Sequence, residues 1–270
     1  RAYGLFRRAA EGTRLEVLLS KAREYLPDDK IGIVTEAYKF AAEAHSGQVR
    51  LSGEPFIEHP IHTARFLADL RLDANALAAA LLHDVVEDCG VEYEELADRF
   101  GTEVAGLVDG VTKLTEAELL TDNDVPGSET SSVNGLARAA SLRKVLQSMA
   151  EDIRVVLIKL SDRLHNMSTL GALPPERRVV VAHETLDIYA PLAHRLGIWE
   201  LKWRLEDLAF RHIDPEAFHR VSKLLNSRRA EREEYVERVR DITQAELDRA
   251  GIKAEVTGRP KNIFSIHKKI

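Results

Sequence analysis

The stretch that most constrains this chain is Leu81-Leu82-His83-Asp84-Val85-Val86-Glu87-Asp88, at the end of an Ala/Leu-rich helix. On a helix turning about 100° per residue, His83, Asp84, Glu87 and Asp88 share one side of a single turn. One imidazole and three carboxylates crowded in this way repel one another and resist desolvation unless a cation lies against them. The expectation is a divalent metal at this turn, with the rest of the chain supplying its other ligands and a substrate.

The totals narrow the partners. The 270 residues suffice for one large domain or two smaller ones. A net charge of -6 argues against nucleic-acid or membrane binding through a broad basic surface. It leaves room for a nucleotide in a local basic pocket. Cys89 is the single cysteine, so no internal disulfide can form, and a reducing, cytoplasmic location is expected. No apolar run approaches the roughly 18 residues of a membrane span. The sequence starts without Met and stops mid-pattern at Ile270, which reads as a piece of a longer protein.

Nearly everything follows a helical period. Thr13 and Glu16 form a capping box for a short helix ending near Pro27. Asp28 or Asp29 caps a longer helix that Gly47 ends. Residues 46–57 form a loop that carries Arg50 and delivers His59 to a helix with Pro60 in its first turn. Asp73 caps the helix leading to the crowded turn, and short helices are expected over 92–100 and 102–114. Residues 115–135 are acidic, turn-rich and aperiodic, which predicts a surface loop. An amphipathic helix is expected over 136–151. Asp152 caps a helix over 153–170 in which Asp162, Asn166 and Thr169 share a face. Further helices are expected from Pro175 to Gly197 and over 198–212. A very long helical pattern runs from Pro215 to about Ala250, rich in Arg/Glu pairs four apart. After Gly251 the character changes: Lys253 to Thr257 alternates like a strand, and a helix follows Pro260.

Four candidate metal ligands stand out: His59, His83, Asp84 and Asp162. Two imidazoles and two carboxylates suit a borderline divalent ion such as manganese, iron or zinc. They lie on three helical segments, as a metal site in a helical bundle requires. His83 and Asp84, adjacent in sequence, can reach one ion only near a helix end or by bridging. His45, His62, His165, His183, His194 and His212 are read as ordinary core or surface histidines.

The order His59, His83-Asp84, Asp162 resembles the HD-domain phosphohydrolases, a helical, metal-dependent superfamily. Longer words resemble the RelA/SpoT alarmone enzymes. They are Gly47-Gln48-Val49-Arg50-Leu51-Ser52-Gly53-Glu54-Pro55-Phe56-Ile57-Glu58-His59-Pro60, Asp109-Gly110-Val111-Thr112-Lys113-Leu114, Lys159-Leu160-Ser161-Asp162-Arg163-Leu164-His165-Asn166-Met167 and Pro191-Leu192-Ala193-His194-Arg195-Leu196-Gly197, together with the crowded turn itself. The resemblance implies an all-α HD-domain bundle that hydrolyses the 3′-pyrophosphate of (p)ppGpp to GDP or GTP plus pyrophosphate, with Mn2+ as cofactor, in the stringent response. Other nucleotides, such as a dNTP or NADPH, and a non-catalytic alarmone-binding role are the alternatives. The retained Glu87 and Asp88 resemble the hydrolase-competent members and are expected to orient or deprotonate the attacking water. By resemblance Arg50 packs on the guanine face. Asn166 and Thr169 suit hydrogen bonds to ribose or the 3′-phosphate, and Ser52 is a candidate for the base. Two departures stand out. Leu51 and Ser168 occupy positions where the family commonly has cations, which is expected either to weaken substrate binding or to shift that role to Lys159, Arg163 or another residue.

Residues 258–270 resemble the opening of the family's synthetase domain, with Arg259 and Lys261 matching its ATP-phosphate ligands. The expected organisation is a hydrolase domain over 1–197, a helical linker over 198–250 that packs on it, and the first strand and helix of a truncated α/β synthetase domain over 251–270. Synthesis of the alarmone is not expected of such a piece. A parent able to bind ribosomes through other domains is implied, with no direct nucleic-acid contact from this part.

Overall fold

The computed structural model describes residues 14–122, 151–226, 229–258 and 261–270, and all regular elements among them are helical. Two compact units divide the chain, residues 1–174 and 175–270.

In the first unit α1 (residues 14–23) precedes α2 (Asp28–Ala44), α3 (Glu58–Asp69), α4 (Ala74–Leu82), α5 (Val85–Cys89), α6 (Tyr93–Phe100), α7 (Thr102–Asp122) and α8 (Ile153–Ser168). The centre is α4. Apart from Asn75 every residue from Ala74 to Leu82 is buried. An apolar surface on all sides must be covered on all sides, and α2, α3, α7 and α8 pack around it. Its alanines present little bulk, so the neighbours approach closely. Asp73 caps α4 by accepting the Ala76 N–H at 3.0 Å. Asp152 caps α8 by accepting the Arg154 N–H at 2.8 Å.

Several expectations need correction. Asp28 and Asp29 lie inside the first turn of α2, and Pro27 precedes them without a side-chain cap. Their charge acts on the helix dipole instead. The helix expected to end at 114 continues to Asp122. Glu116, Ala117, Glu118, Leu119 and Leu120 are strong helix formers, and no breaker interrupts them. Residues 123–135 of the expected loop, the amphipathic stretch from 136 to 150 and the capping residue Thr13 lie outside the described residues. The crowded turn is not one continuous helix. α4 stops at Leu82, Asp84 sits at φ -96°, ψ -9°, and α5 starts afresh at Val85. Gly90, at φ 68°, then ends α5 in the left-handed conformation that glycine adopts without strain.

The second unit is built from α9 (Pro175–Glu184), a π turn over Thr185–Tyr189, α10 (Ala190–Arg195), α11 (Trp199–Ile213), α12 (Pro215–Asn226), α13 (Arg229–Arg249) and α14 (Ile263–His267). The π turn falls just before Pro191, which has no N–H for the carbonyl four residues back. Phe210 is buried and stacks on His267 at 4.5 Å and against Phe264 at 5.4 Å. Asp207 accepts the N–H of Phe264 at 2.9 Å and the Asn262 amide at 3.0 Å, which fixes α14 on α11. Among the described residues, 252–258 have no ladder partner, so the expected strand is not formed. Gln244 on α13 takes a strand's place: its amide donates to the Ala254 carbonyl at 2.9 Å and accepts from Val256 N–H at 3.0 Å.

Candidate metal centre

The loop before α3 is a tight turn closed by an antiparallel bridge between Val49 and Pro55, with Arg50 N–H donating to Glu54 at 2.9 Å. This geometry folds Arg50 back over Phe56, its guanidinium 5.7 Å from the ring centre. α3 then carries His59 in its first turn, buried with Glu58 and Pro60. His83 follows the last residue of α4, and Asp162 lies mid-way along α8.

These three segments bring His59, His83 and Asp162 together, all buried, with one ligand atom from each within 4.8 Å of the others. His59 Nε2 lies 3.1 Å from Asp162 Oδ1 and 3.1 Å from His83 Nε2. Asp84 adjoins this group, with its carboxylate oxygens 3.0 Å from His83 Nε2 and 3.4 Å from His59 Nε2. The break between α4 and α5 lets consecutive residues His83 and Asp84 face the same point, which a continuous helix forbids.

The directions in which the ring atoms face show why a cation fits. His83 Nδ1 lies 2.8 Å from the Ala80 carbonyl, which can only accept. Nδ1 therefore carries a proton, and Nε2 is the ring atom turned to the oxygens of Asp84 and to Asp162. Two carboxylates converging on one point repel each other until a positive charge stands between them. The donor set, imidazole nitrogens with carboxylate oxygens, suits a divalent metal.

Burial works to raise the carboxyl of Asp162, but Lys159 and the contact with His59 hold it well below the usual carboxylate range. Lys159 is itself buried, 3.3 Å from Asp162 Oδ2, and donates to Thr115 Oγ1 at 2.9 Å. Burial pushes the imidazole of His59 down, against the pull of Asp162 and Asp84. Glu87 and Asp88 lie on α5, exposed as whole residues but with their carboxyls partly shielded by the neighbouring cluster. Lost hydration raises Glu87 to about 7, with the charge of Asp84 adding to it. Asp88 is raised by the same two causes in the same order.

The other sequence-predicted residues divide. Arg50 and Asn166 join the cluster: Arg50 Nη2 donates to Asn166 Oδ1 at 2.6 Å, and Asn166 Nδ2 donates to Asp162 Oδ1. The Thr169 hydroxyl turns back onto the helix carbonyls of His165 and Asn166 at 3.4 and 3.3 Å. Ser52 is exposed on the turn tip, with no bond to the cluster among the described residues. Leu51 beside it is 80% exposed. Lys261 is exposed in the second unit, and Arg259 lies outside the described residues.

Sequence reasoning missed two histidines. His165 Nδ1 lies 2.8 Å from His59 Nδ1, and His62 stacks on the His165 ring at 4.7 Å. Burial, then the neighbouring His59, pushes His165 down to about 3, so it is neutral across ordinary pH. The signal was present: His62 is three residues past His59 and His165 three past Asp162, one turn along the same faces.

The HD-domain family model matches residues 37–199, and the chain belongs to that family. Over 92% of its length it is 45% identical to a GTP pyrophosphokinase of Myxococcus xanthus, 31% of which it covers. It is also 45% identical, over 92% of its length, to a guanosine-3′,5′-bis(diphosphate) 3′-pyrophosphohydrolase of Vibrio cholerae, 34% of which it covers. To the bifunctional (p)ppGpp synthase/hydrolase SpoT of Escherichia coli it is 42% identical over 94% of its length and 35% of that protein. The chain thus spans about a third of the length of these curated relatives. A solved metazoan ortholog of SpoT, described as hydrolysing ppGpp, is 27% identical, covers 70% of this chain and has a TM-score of 0.49. No helix among the described residues is long and apolar enough to cross a membrane.

Proposed function

We propose that this chain hydrolyses the 3′-pyrophosphate of (p)ppGpp, releasing pyrophosphate and GDP or GTP, with Mn2+ held by His59, His83, Asp84 and Asp162. The observation that carries this reading is the convergence of those four side chains from three segments, with Glu87 and Asp88 one helical turn beyond Asp84. The names of the curated relatives supply the substrate. A divalent ion held there contributes positive charge against the phosphate and makes water a better nucleophile.

The remaining roles belong to the protein. Glu87, raised to about 7, is poised to take the proton of the attacking water near neutral pH. Asp88 stands beside it to orient that water. Arg50 offers a planar guanidinium to the base, with the Phe56 ring 5.7 Å from it. Lys159 holds Asp162 ionised from 3.3 Å away. The free Cys89 accords with a reducing cytoplasm.

The test is to incubate purified protein with ppGpp and Mn2+, with and without EDTA, and to follow pyrophosphate release. Turnover that EDTA abolishes and Mn2+ restores is expected. No turnover while Mn2+ is demonstrably bound would sink the reading.

A further inference from the structure

We propose that His165 is a positioning residue that fixes the proton of His59 and ties the placement of Arg50 to the metal ligands. The inference rests on the metal centre described above, and it concerns atoms outside the coordination set.

Arg50 Nη1 lies 3.3 Å from His165 Nδ1. A guanidinium has donors and no acceptor, so His165 Nδ1 presents its lone pair. His59 Nδ1 is 2.8 Å from that same atom, and a nitrogen already serving as acceptor cannot donate to it. The bond therefore runs from His59 Nδ1–H to His165, and His165 carries its own proton on Nε2. With that proton on Nδ1, His59 Nε2 is the ring atom turned to Asp162 at 3.1 Å and to His83 Nε2 at 3.1 Å. His83 obtains its tautomer from a backbone carbonyl. His59 obtains its own from a side chain on another helix.

Arg50 completes the arrangement. Its guanidinium forks onto two consecutive residues of α8, Nη1 to His165 and Nη2 to Asn166 Oδ1. His165 then accepts from His59, and Asn166 donates to Asp162. One arginine on the loop before α3 thus sets two ligands from two helices. His62, stacked on His165 at 4.7 Å with 18° between the planes, holds the ring that does this. Moving Arg50 to meet a substrate moves both second contacts, so substrate placement and metal affinity are linked.

Two variants separate the acceptor atom from the ring. His165→Phe keeps an aromatic ring against His62 and removes the nitrogen. His165→Asn loses the ring and places an amide oxygen where Nδ1 was. Mn2+ affinity of the full chain is measured by titration calorimetry, with no substrate present. His165→Phe is expected to weaken Mn2+ binding about 10- to 100-fold, the usual effect of losing the outer partner of a ligating histidine, and His165→Asn to recover most of it. Unchanged affinity in His165→Phe overturns the proposal, and so does equal loss in both variants. Arg50→Met acts on the same path, so combined with His165→Phe it should cost less than the product of the separate effects. A full product overturns the link to Arg50.

Nitrogen-15 NMR of the metal-free wild type decides the tautomers even where a variant fails to fold. His59 protonated on Nδ1 and His165 on Nε2 are expected, and the reverse overturns the proposal. Wild-type protein that binds no Mn2+ would instead defeat the proposed function while leaving the tautomer measurement to judge this one.

Discussion

Gly110 lies on α7 where that helix crosses α8, the helix that carries Asp162 and His165. A Cβ built at Gly110 falls 2.8 Å from Val155 Cγ2 and 3.2 Å from Cγ1. Favourable carbon contacts lie near 3.5–4.0 Å, so about 0.7 Å or more must be found. Val155 cannot supply it by rotating, because a β-branched side chain in a helix has essentially one χ1 well and its other faces are buried. The helices must separate. Overpacking of this kind costs about 1–3 kcal/mol, against roughly 1 kcal/mol gained by replacing glycine with alanine inside a helix. Gly110→Ala should therefore lose up to about 2 kcal/mol net. Val155→Ala alone removes two buried methyls and should cost about 1.5–2 kcal/mol. Each variant relieves the other's defect, so the double variant should be more stable than the sum of the two by about 1–2 kcal/mol. Urea denaturation of the four proteins, without metal, gives the cycle. A Gly110→Ala protein more stable than wild type, or strict additivity, would refute the reasoning.

The other predictions concern the metal centre. Asp162→Asn should abolish the stabilisation by Mn2+, about 2.7 kcal/mol for wild type at a hundredfold excess over Kd, read by thermal melts with and without the ion; an undiminished shift excludes Asp162 as a ligand. Lys159→Met leaves the buried Asp162 uncompensated and should cost about 3 kcal/mol or more in metal-free protein, with part recovered by Mn2+; a loss indifferent to Mn2+ would mean that Lys159 does not stand in for the ion. For Glu87, the folded-state pKa lies above the unfolded one, so the folded protein binds the extra proton and stability falls as pH rises from 4.5 to about 7. Metal-free Glu87→Gln should therefore melt higher than wild type above that window and equally below it. The same variant should retain Mn2+ yet lose most pyrophosphate release, about 100-fold or more for a general base; full activity would remove Glu87 from the water-handling role.

Much of the fold and of the candidate cluster could be read from residue order alone. Caps at Asp73 and Asp152, the apolar run of α4 and the spacing along α8 are local properties, set by backbone hydrogen bonding and a 3.6-residue period. The crowding of His83, Asp84, Glu87 and Asp88 announced a cation because like charges within one turn need no tertiary information to repel. Three things were decided only by packing. Helical periodicity projects His83 and Asp84 in different directions, and only the break between α4 and α5 turns both to one point. The strand expected after Lys253 depends on a partner, and Gln244 supplies its hydrogen bonds instead. In sequence His165 reads as an ordinary core or surface histidine, since its tautomer depends on Arg50, 115 positions earlier in the chain. Sequence specified which groups could hold an ion. Tertiary structure decided which nitrogen of each ring carries the proton, because that depends on partners no local pattern contains.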